Sequence, residues 1–345
     1  MTTLRRTRRN RPAARHLVGL AALALTAPLL QSCGLFGGDK LVIYNAQHEQ
    51  LIEELAPAFE EATGIEVELR HGKDLELSNQ LIQEGDASDA DVFLTENSPA
   101  MSQVEAEGLF DELPSSILDT IPAQYRPESG LWTGFVARST VLVYNTDLVE
   151  ESELPDSIMD LADPEWAGRL TFSPTGADFQ AIVAAVLELE GEDSTRDWLE
   201  GIKENGTVAD NNLVALEAVN SGQSDVGIVY HYYWERDRAE DGDLHDSSEQ
   251  HYFTDQDPGA FLSISGAGVL ESSDMKEEAR EFVEFLVSEE GQQILADSYA
   301  LEYPLNPAVE LGGVKPFGEL QPPQVNVSDL DAEAVVDLLT EVGFL

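Results

Sequence analysis

From residue 40 the chain alternates between short apolar runs and longer stretches in which apolar residues recur every three to four positions. Short apolar or alternating runs predict strands, and the longer period predicts helices. We predict strands at 40–44, 65–69 and 90–94, and helices at 51–62 and 75–82. This alternation indicates a parallel α/β sheet, in which ligands bind beyond the carboxyl ends of the strands. His48 and Glu96 lie just past two of these ends.

The remainder of the chain continues the alternation. Further strands are predicted at 132–144, 169–172, 225–230 and 259–270, and further helices at 179–189, 194–202, 213–219, 274–286, 288–294 and 332–342. Pro57 lies inside the first helical pattern and predicts a kink or a late start for that helix. Asp274 with Glu277 resembles a capping box. The turn 173–177 precedes an apolar helix, where free N–H groups favour an anion, although an ordinary turn explains it equally well.

Two tyrosines stand side by side where a predicted strand meets a charged stretch, 234–241, that we predict as a helix. Neighbours in a strand face opposite sides, so Tyr232 and Tyr233 can face one point only where the backbone leaves extended geometry. Phenolate oxygen is a hard ligand, and tyrosine binds ferric iron in some haem proteins. This tyrosine pair is a candidate iron site, although aromatic residues at strand ends more often serve packing.

The charge of the chain argues against two classes of partner. Its 345 residues contain 66 acids and 19 bases, a net charge of -47. The first 32 residues carry six arginines and no acid, so their removal leaves 66 acids against 13 bases. Nucleic acids and anionic lipid surfaces require basic patches, and neither is predicted as a partner. The acidity suits solubility in a salty medium, where charges are screened over short distances.

The amino terminus indicates export. A basic segment is followed by an apolar segment at 17–30 that is too short to span a bilayer, and residues 30–33 read Leu-Gln-Ser-Cys, which resembles a lipobox. We predict a lipoprotein signal peptide at 1–32, lipid on Cys33 and a tether at 33–39. The expected location is the outer face of the cytoplasmic membrane, at the cell surface or in the periplasm. The alternative is a buried cysteine behind an ordinary signal peptide, and the export route, general secretory or twin-arginine, stays open.

Several of these stretches together resemble the ferric-iron-binding proteins of bacterial ABC importers, the "bacterial transferrins". The resemblance runs in order over nearly all of residues 40–345, and the matching pieces are Tyr44-Asn-Ala-Gln-His48, Ala90-Asp-Val-Phe-Leu-Thr-Glu96, Tyr232-Tyr-Trp234, Asp257-Pro-Gly-Ala260, Ser265-Gly-Ala267 and Glu302-Tyr-Pro-Leu-Asn-Pro307. It implies the two-lobed α/β fold of type II periplasmic binding proteins, with crossover strands and a cleft between the lobes. The implied lobes are 40–138 plus 263–312 and 139–262 plus 313–345.

The resemblance also implies a set of ligands. Ferric iron would be held by His48, Glu96, Tyr232 and Tyr233, with water and a bound anion such as phosphate or carbonate in the remaining positions. The residues implied for the anion are Thr175, Gly176 and Ala177, with Asn97 and Asn212 as side-chain donors. Two phenolates, one carboxylate and a neutral imidazole supply three negative charges, which balance Fe³⁺.

One position departs from the family pattern. Family members often have two asparagines before the tyrosine pair, whereas this chain has Tyr230 and His231. The identity of the anion is therefore open, and Tyr230 becomes a candidate for an extra ligand, because some relatives bind iron through more tyrosines and without an anion. Tyr144 and Tyr44 lie at strand ends and are further candidates, better explained by packing. Three histidines are interpreted as surface or structural residues: His71, His245 and His251.

These observations predict a monomeric, lipid-anchored solute-binding protein that captures ferric iron and delivers it to an ABC permease in the cytoplasmic membrane. The first alternative is the same fold binding an organic anion, such as a phosphonate, or a polyamine. The second is a secreted metalloenzyme with tyrosine ligands, and the third is a sensor that presents its ligand to a membrane receptor. The chain contains no His-Glu-x-x-His motif and no recognisable nucleophile motif, so we expect a protein that is not an enzyme.

Overall fold

The structure is a computed structural model that describes residues 40–241 and 247–345. The predicted signal peptide, the tether with Cys33, and His245 lie outside the described residues. Within the described ranges, no helix combines the length and the apolar character that crossing a bilayer requires.

A mixed sheet of ten strands organises the described part of the chain. Its strands are β1 (Leu41–Asn45), β2 (Val67–His71), β3 (Val92–Leu94), β4 (Trp132–Asn145), β5 (Leu170–Phe172), β6 (Gly206–Val208), β7 (Val226–Tyr230), β8 (Ser248–His251), β9 (Leu262–Val269) and β10 (Tyr303–Pro304). Their order is β2-β1-β3-β9-β4-β7-β5-β6, with β8 and β10 both pairing with β4. The strands β2, β1 and β3 pair in parallel as predicted, whereas β9 and β4 run antiparallel to their neighbours.

The helices cover the sheet and supply the apolar faces that the sequence pattern predicts. They are α1 (Glu49–Thr63), α2 (Asp74–Glu84), α3 (Ser98–Ala106), α4 (Ser115–Leu118), α5 (Ala177–Glu190), α6 (Glu192–Asn205), α7 (Asn212–Asn220), α8 (His231–Asp241), α9 (Lys276–Val287), α10 (Glu289–Asp297) and α11 (Ala332–Val342).

One predicted helix start is wrong, and of the two alternatives predicted for Pro57 the late start does not occur. The helix α1 begins at Glu49 and continues through Pro57, so the proline does not delay it. Burial of the apolar face of α1 outweighs the lost backbone hydrogen bond. The predicted capping box at Asp274 is absent, because α9 begins at Lys276 and the residue before it makes no side-chain cap. Ser288 does cap α10, by accepting a hydrogen bond from the Gly291 N–H at 3.1 Å.

Two large apolar cores give the molecule its two lobes. The first core contains buried residues from β1, β3, β9 and α9, and the second contains residues from β5, β7, α5 and α6. The long strand β4 joins them, because Trp132 and Phe135 belong to the first core and Leu142 and Tyr144 to the second. Val327 packs in the first core although it lies in a segment expected in the second lobe. The α/β two-lobed fold is confirmed, and the exact lobe boundaries stay a prediction.

Candidate metal centre

Each of the four predicted metal ligands lies just beyond the carboxyl end of a strand. His48 lies between β1 and α1, and Glu96 lies between β3 and α3. The strand β7 passes into α8 with no residue between them, so Tyr232 and Tyr233 lie in the first turn of α8. Successive side chains of a helix are rotated by about 100° rather than 180°. The two phenol rings of the tyrosine pair therefore lie side by side, with centroids 4.2 Å apart.

The donor atoms of three of these residues converge. Nε2 of His48 lies 3.6 Å from Oε1 of Glu96, and the Tyr232 hydroxyl lies 3.5 Å from the same oxygen. The rings of His48 and Tyr232 meet edge to face with centroids 5.3 Å apart. Donor atoms about 2.0–2.2 Å from one metal ion are about 3 Å apart when adjacent and about 4 Å apart when opposite. The two separations from Oε1 of Glu96, 3.6 and 3.5 Å, lie between these values, so His48 and Tyr232 are both close to a cation that Glu96 would bind.

Tyr233 is directed at a carboxylate that sequence reasoning missed. Its hydroxyl donates a hydrogen bond to Oδ2 of Asp178 at 3.0 Å, and the Asn212 amide donates to the same oxygen at 2.8 Å. The Tyr230 hydroxyl donates to the backbone carbonyl oxygen of Asp178 at 3.1 Å. Asp178 is buried in the first turn of α5, where the helix dipole favours a negative charge. The signal in the sequence was an acid directly after the predicted anion turn.

The predicted anion turn lies at the start of α5. Thr175 is exposed, Gly176 precedes the helix without a side-chain cap, and Ala177 is its first residue. The Asn212 amide, predicted as a donor to an external anion, donates a hydrogen bond to Oδ2 of Asp178 at 2.8 Å. The structure therefore brings a negative group of the chain itself to the amide and helix terminus that were predicted to hold a separate anion.

Asn97 makes hydrogen bonds that stabilise the turn containing Glu96. Its side-chain amide donates to Asp74 at 3.2 Å, and the backbone N–H groups of Glu96 and Asn97 donate to the two oxygens of the same carboxylate at 2.9 and 3.0 Å. The Ser263 hydroxyl donates to Oδ1 of Asn97 at 2.6 Å. Burial raises the pKa of Asp74 to about 6, against these hydrogen bonds. Asp74 thus holds Glu96 in place from within the fold.

A buried ion network lies beside the predicted ligands. Arg138 is fully buried, and its Nη1 lies 3.4 Å from Oε1 of Glu96 and 3.6 Å from Oε2 of Glu302. Nδ1 of His48 lies 2.9 Å from Oε1 of Glu302. Burial alone would raise the pKa of Glu302, but the charge of Arg138 and then the contact with His48 hold the pKa at about 2. Glu302 belongs to one of the stretches that resemble the ferric-iron-binding proteins. No pattern in the sequence indicated Arg138.

Burial also sets the protonation of the donor groups. It raises the pKa of three tyrosines well above the ordinary range, with the negative charge of Asp178 adding to the effect: Tyr230, Tyr232 and Tyr233. Burial and the same aspartate raise the pKa of Glu96 as well. A cation of high charge that binds here has to displace these protons. The site therefore favours such a cation more strongly as pH rises.

The other candidate tyrosines are not brought to the tyrosine pair. Tyr144 lies opposite Val226, at the far end of β7 from Tyr230. Its hydroxyl donates to Glu249 at 3.0 Å, and burial together with that carboxylate raises the pKa of Tyr144 to about 12. The Tyr44 hydroxyl donates to a glutamate on α2 at 3.2 Å. Both have carboxylate partners away from the cleft.

The described histidines other than His48 have structural contacts. Nδ1 of His71 lies 2.9 Å from the Asn45 amide nitrogen. His231 is buried and stacks on Tyr303 with ring centroids 4.5 Å apart. Burial lowers the pKa of His231 to about 3, so its imidazole is neutral. His251 lies at the end of β8, where it pairs with β4. His231 also meets Tyr232 edge to face, with ring centroids 6.2 Å apart, but its neutral ring is held by Tyr303 and the Ser139 backbone.

A metal ion in this cleft would depend on phenol oxygens. Within residues 40–241 and 247–345, no group of three or more His, Cys, Asp and Glu side chains has the spacing of a metal site. The donors form two neighbouring sets, in which His48 and Tyr232 lie near Glu96 and Tyr233 lies near Asp178. Anionic oxygen ligands of this kind suit hard cations.

The fold and this site define a binding protein of the two-lobed type II periplasmic class, with polar side chains of both cores meeting in the cleft. Residues 88–316 match the model of the bacterial extracellular solute-binding protein family, and the chain belongs to this family.

Within this class, the chain is similar to several proteins that are named for binding ferric iron. The chain is 48% identical over 310 residues to the "Fe(3+)-binding periplasmic protein" of Serratia marcescens, and the aligned region covers 88% of this chain and 90% of that protein. It is 36% identical over 333 residues to the "major ferric iron-binding protein" of Neisseria meningitidis, covering 95% and 98%. The structure of iron-bound HitA from Pseudomonas aeruginosa superposes with a TM-score of 0.83 at 41% identity, covering 88% and 99%. The resemblance to ferric-binding proteins is confirmed, and these relatives are binding proteins rather than enzymes.

Proposed function

We propose that the chain captures ferric iron in this cleft. The observation that carries the proposal is the convergence of Tyr232 on Glu96 at 3.5 Å and of Tyr233 on Asp178 at 3.0 Å. Such a set of two phenols and two carboxylates, with His48 beside them, provides the anionic oxygen that a hard trivalent cation requires. The names of the relatives support the same cargo.

The proposed ligands are His48, Glu96, Tyr232, Tyr233 and Asp178. The first four agree with the set that the sequence resemblance implies. Asp178 replaces the separate anion, because its carboxylate already accepts hydrogen bonds from the Asn212 amide and the Tyr233 phenol. Bound phosphate or carbonate is the alternative occupant, and Tyr230 stays outside the ligand set because its hydroxyl donates to a backbone carbonyl oxygen.

The test is a visible absorption spectrum of the purified protein with and without ferric salt. Tyrosinate bound to ferric iron gives a charge-transfer band, which we expect in the wild type and in the matched control Tyr144→Phe. The band should disappear in a Tyr232→Phe/Tyr233→Phe double variant. A wild type that shows no band, and retains no iron through a desalting column, would contradict the proposal and favour an organic anion as cargo.

The proposal includes the cellular setting. We infer that the protein acts as a monomer, is lipid-anchored through Cys33 to the outer face of the cytoplasmic membrane, and delivers iron to an ABC permease there. The Leu-Gln-Ser-Cys sequence at 30–33 supports the anchor. Cys33→Ser should move the protein from the membrane fraction to the soluble fraction. A wild type that is recovered in the soluble fraction would count against the anchor alone.

A further inference from the structure

A buried carboxylate outside the proposed ligand set touches residues of both lobes. Glu302 is fully buried just before β10. Its Oε1 lies 2.9 Å from Nδ1 of His48 and 3.6 Å from Nη2 of Arg236. Its Oε2 lies 3.4 Å from the Gln47 amide nitrogen and 3.6 Å from Nη1 of Arg138. One oxygen of this carboxylate therefore contacts a proposed iron ligand of the first lobe and a cation carried by α8 of the second.

Arg236 lies one helical turn after Tyr232 in α8. The central carbon of its guanidinium group lies 4.3 Å from the centre of the Tyr232 ring and 4.6 Å from the centre of the Tyr299 ring. Its Nε donates to the backbone carbonyl oxygens of Tyr299 and Ala300 at 3.2 and 3.1 Å. A helix of the second lobe is thus fixed to the first-lobe segment that leads into Glu302.

These contacts form a continuous connection from His48 through Glu302 and Arg236 to Tyr232. A metal-bound histidine is commonly oriented by a carboxylate on its second ring nitrogen, which directs the first nitrogen at the metal. Glu302 lies at the distance of this relation, with its Oε1 2.9 Å from Nδ1 of His48, and Nε2 of the same ring lies 3.6 Å from Glu96. The planar guanidinium of Arg236 lies against the face of the Tyr232 ring, where it restricts the ring by stacking. The two ends of the connection are proposed ligands from different lobes.

We propose that Glu302 and Arg236 act as a positioning pair that couples the placement of His48 to the placement of Tyr232, so that closure of the lobes and completion of the iron site occur together. This inference rests on the proposed iron site. It assigns neither residue to the metal. An ion pair that served stability alone would not need to end on a ligand at both sides.

Two conservative substitutions separate the parts of this pair. Glu302→Gln keeps an oxygen that can accept from His48, but it removes the charge that attracts Arg236. Arg236→Lys keeps the charge, but it loses the planar group that stacks on Tyr232 and donates to two carbonyl oxygens. A matched control is Arg169→Lys in the second lobe. Nε of Arg169 lies 2.6 Å from Asp225, and its guanidinium lies 4.8 Å from a tryptophan ring centre, with no proposed ligand in either contact.

The measurement is iron affinity by competition with a chelator, read from the charge-transfer band, for the wild type, both single variants, the double variant and the control. We expect each single variant of the pair to bind iron about 10- to 100-fold more weakly, the range for residues that orient metal ligands. The double variant should be no more than about threefold weaker than the worse single variant, because coupled residues do not contribute independently. The control should bind as the wild type does.

Several results would overturn the positioning pair. One is wild-type affinity in both single variants, another is a loss in the double variant equal to the product of the single losses, and a third is an equal loss in Arg169→Lys. If Glu302→Gln does not fold, small-angle scattering of Arg236→Lys decides. An iron-loaded form more open than the wild type supports the pair, and wild-type compaction with wild-type affinity overturns it. No band in the wild type would overturn the iron site itself and the pair with it.

Discussion

Replacing Asp178 with asparagine tests whether the chain supplies its own anion. The substitution preserves shape and removes one negative charge beside Tyr233, whose hydroxyl lies 3.0 Å from the carboxylate. The Asn212 amide and the start of α5 would then face a neutral side chain. These groups form an anion site once the internal carboxylate is gone. We therefore expect Asp178→Asn to bind iron weakly alone and more strongly when an external anion is added.

The size of the effect follows from the charge removed. Two unit charges 4 Å apart attract each other by about 4 kcal/mol at an effective dielectric constant of about 20. Water that enters the vacated ligand position returns part of this energy. A net loss of about 2–4 kcal/mol corresponds to iron binding about 30- to 1,000-fold weaker. Added phosphate or carbonate should recover at least about tenfold of this loss.

The assay is chelator competition in buffers free of coordinating anions, followed by titration with phosphate, carbonate and citrate. Wild-type affinity should be insensitive to these anions. Asn212→Ala is the companion variant, because it removes an amide donor to Asp178 without removing the charge, and it should bind iron with little anion dependence. Wild-type affinity that rises with added phosphate would refute the reasoning, since it would show that a separate anion is part of the site.

Two further predictions concern pH and packing. Iron affinity should fall by about 100-fold for each unit of decreasing pH, because two phenols must each release a proton when iron binds. The fall should be steeper once Glu96, whose pKa is raised, also takes up a proton. An affinity that stays constant between pH 8 and pH 5 would contradict this prediction. Gly266→Ala should lower Tm by about 2–10 °C through overpacking, because its Cβ would collide with Met101 on α3. Gly312→Ala, with no atom within 4 Å of the added Cβ, should leave Tm unchanged, and equal melting of the two variants would refute the packing argument.

The parts of the fold that were predicted from sequence are those with strong local periodicity. The patterns of β1, α1, β7 and α11 are visible in the chain, and the structure has these elements close to the predicted positions. The strand β8 (Ser248–His251) was not predicted, because its sequence Ser-Glu-Gln-His has no apolar alternation and it becomes a strand only by pairing with β4. The helix α8 begins three residues before the predicted start, since its first turn is aromatic rather than charged.

The residues of the candidate site likewise fall into those with a local sequence signal and those without one. His48, Glu96 and the tyrosine pair follow strand ends, and that position is readable in the sequence without knowledge of which strands meet. Asp178 and Arg138 were not predicted because their importance depends on distances between segments far apart in the chain. Asp178 reaches Tyr233 from another helix, and Arg138 lies in the middle of β4, where nothing local distinguishes it from its neighbours.

Asp178 and Arg138, the two residues that were not predicted, carry opposite charges that offset each other in the proposed site. Two phenolates, Glu96 and Asp178 carry four negative charges, one more than Fe³⁺ neutralises. Arg138 is fully buried with its Nη1 3.4 Å from Glu96, and it supplies a positive charge at that place. If the negative charge of the ligands only equalled the charge of the ferric ion, a buried cation nearby would be repelled. Here the ligands carry one negative charge more than the metal neutralises, so the buried arginine is tolerated. An internal carboxylate ligand and a buried arginine are therefore consistent with one another, and Glu302, with its Oε2 3.6 Å from Nη1 of Arg138, is a second buried counter-charge for the arginine.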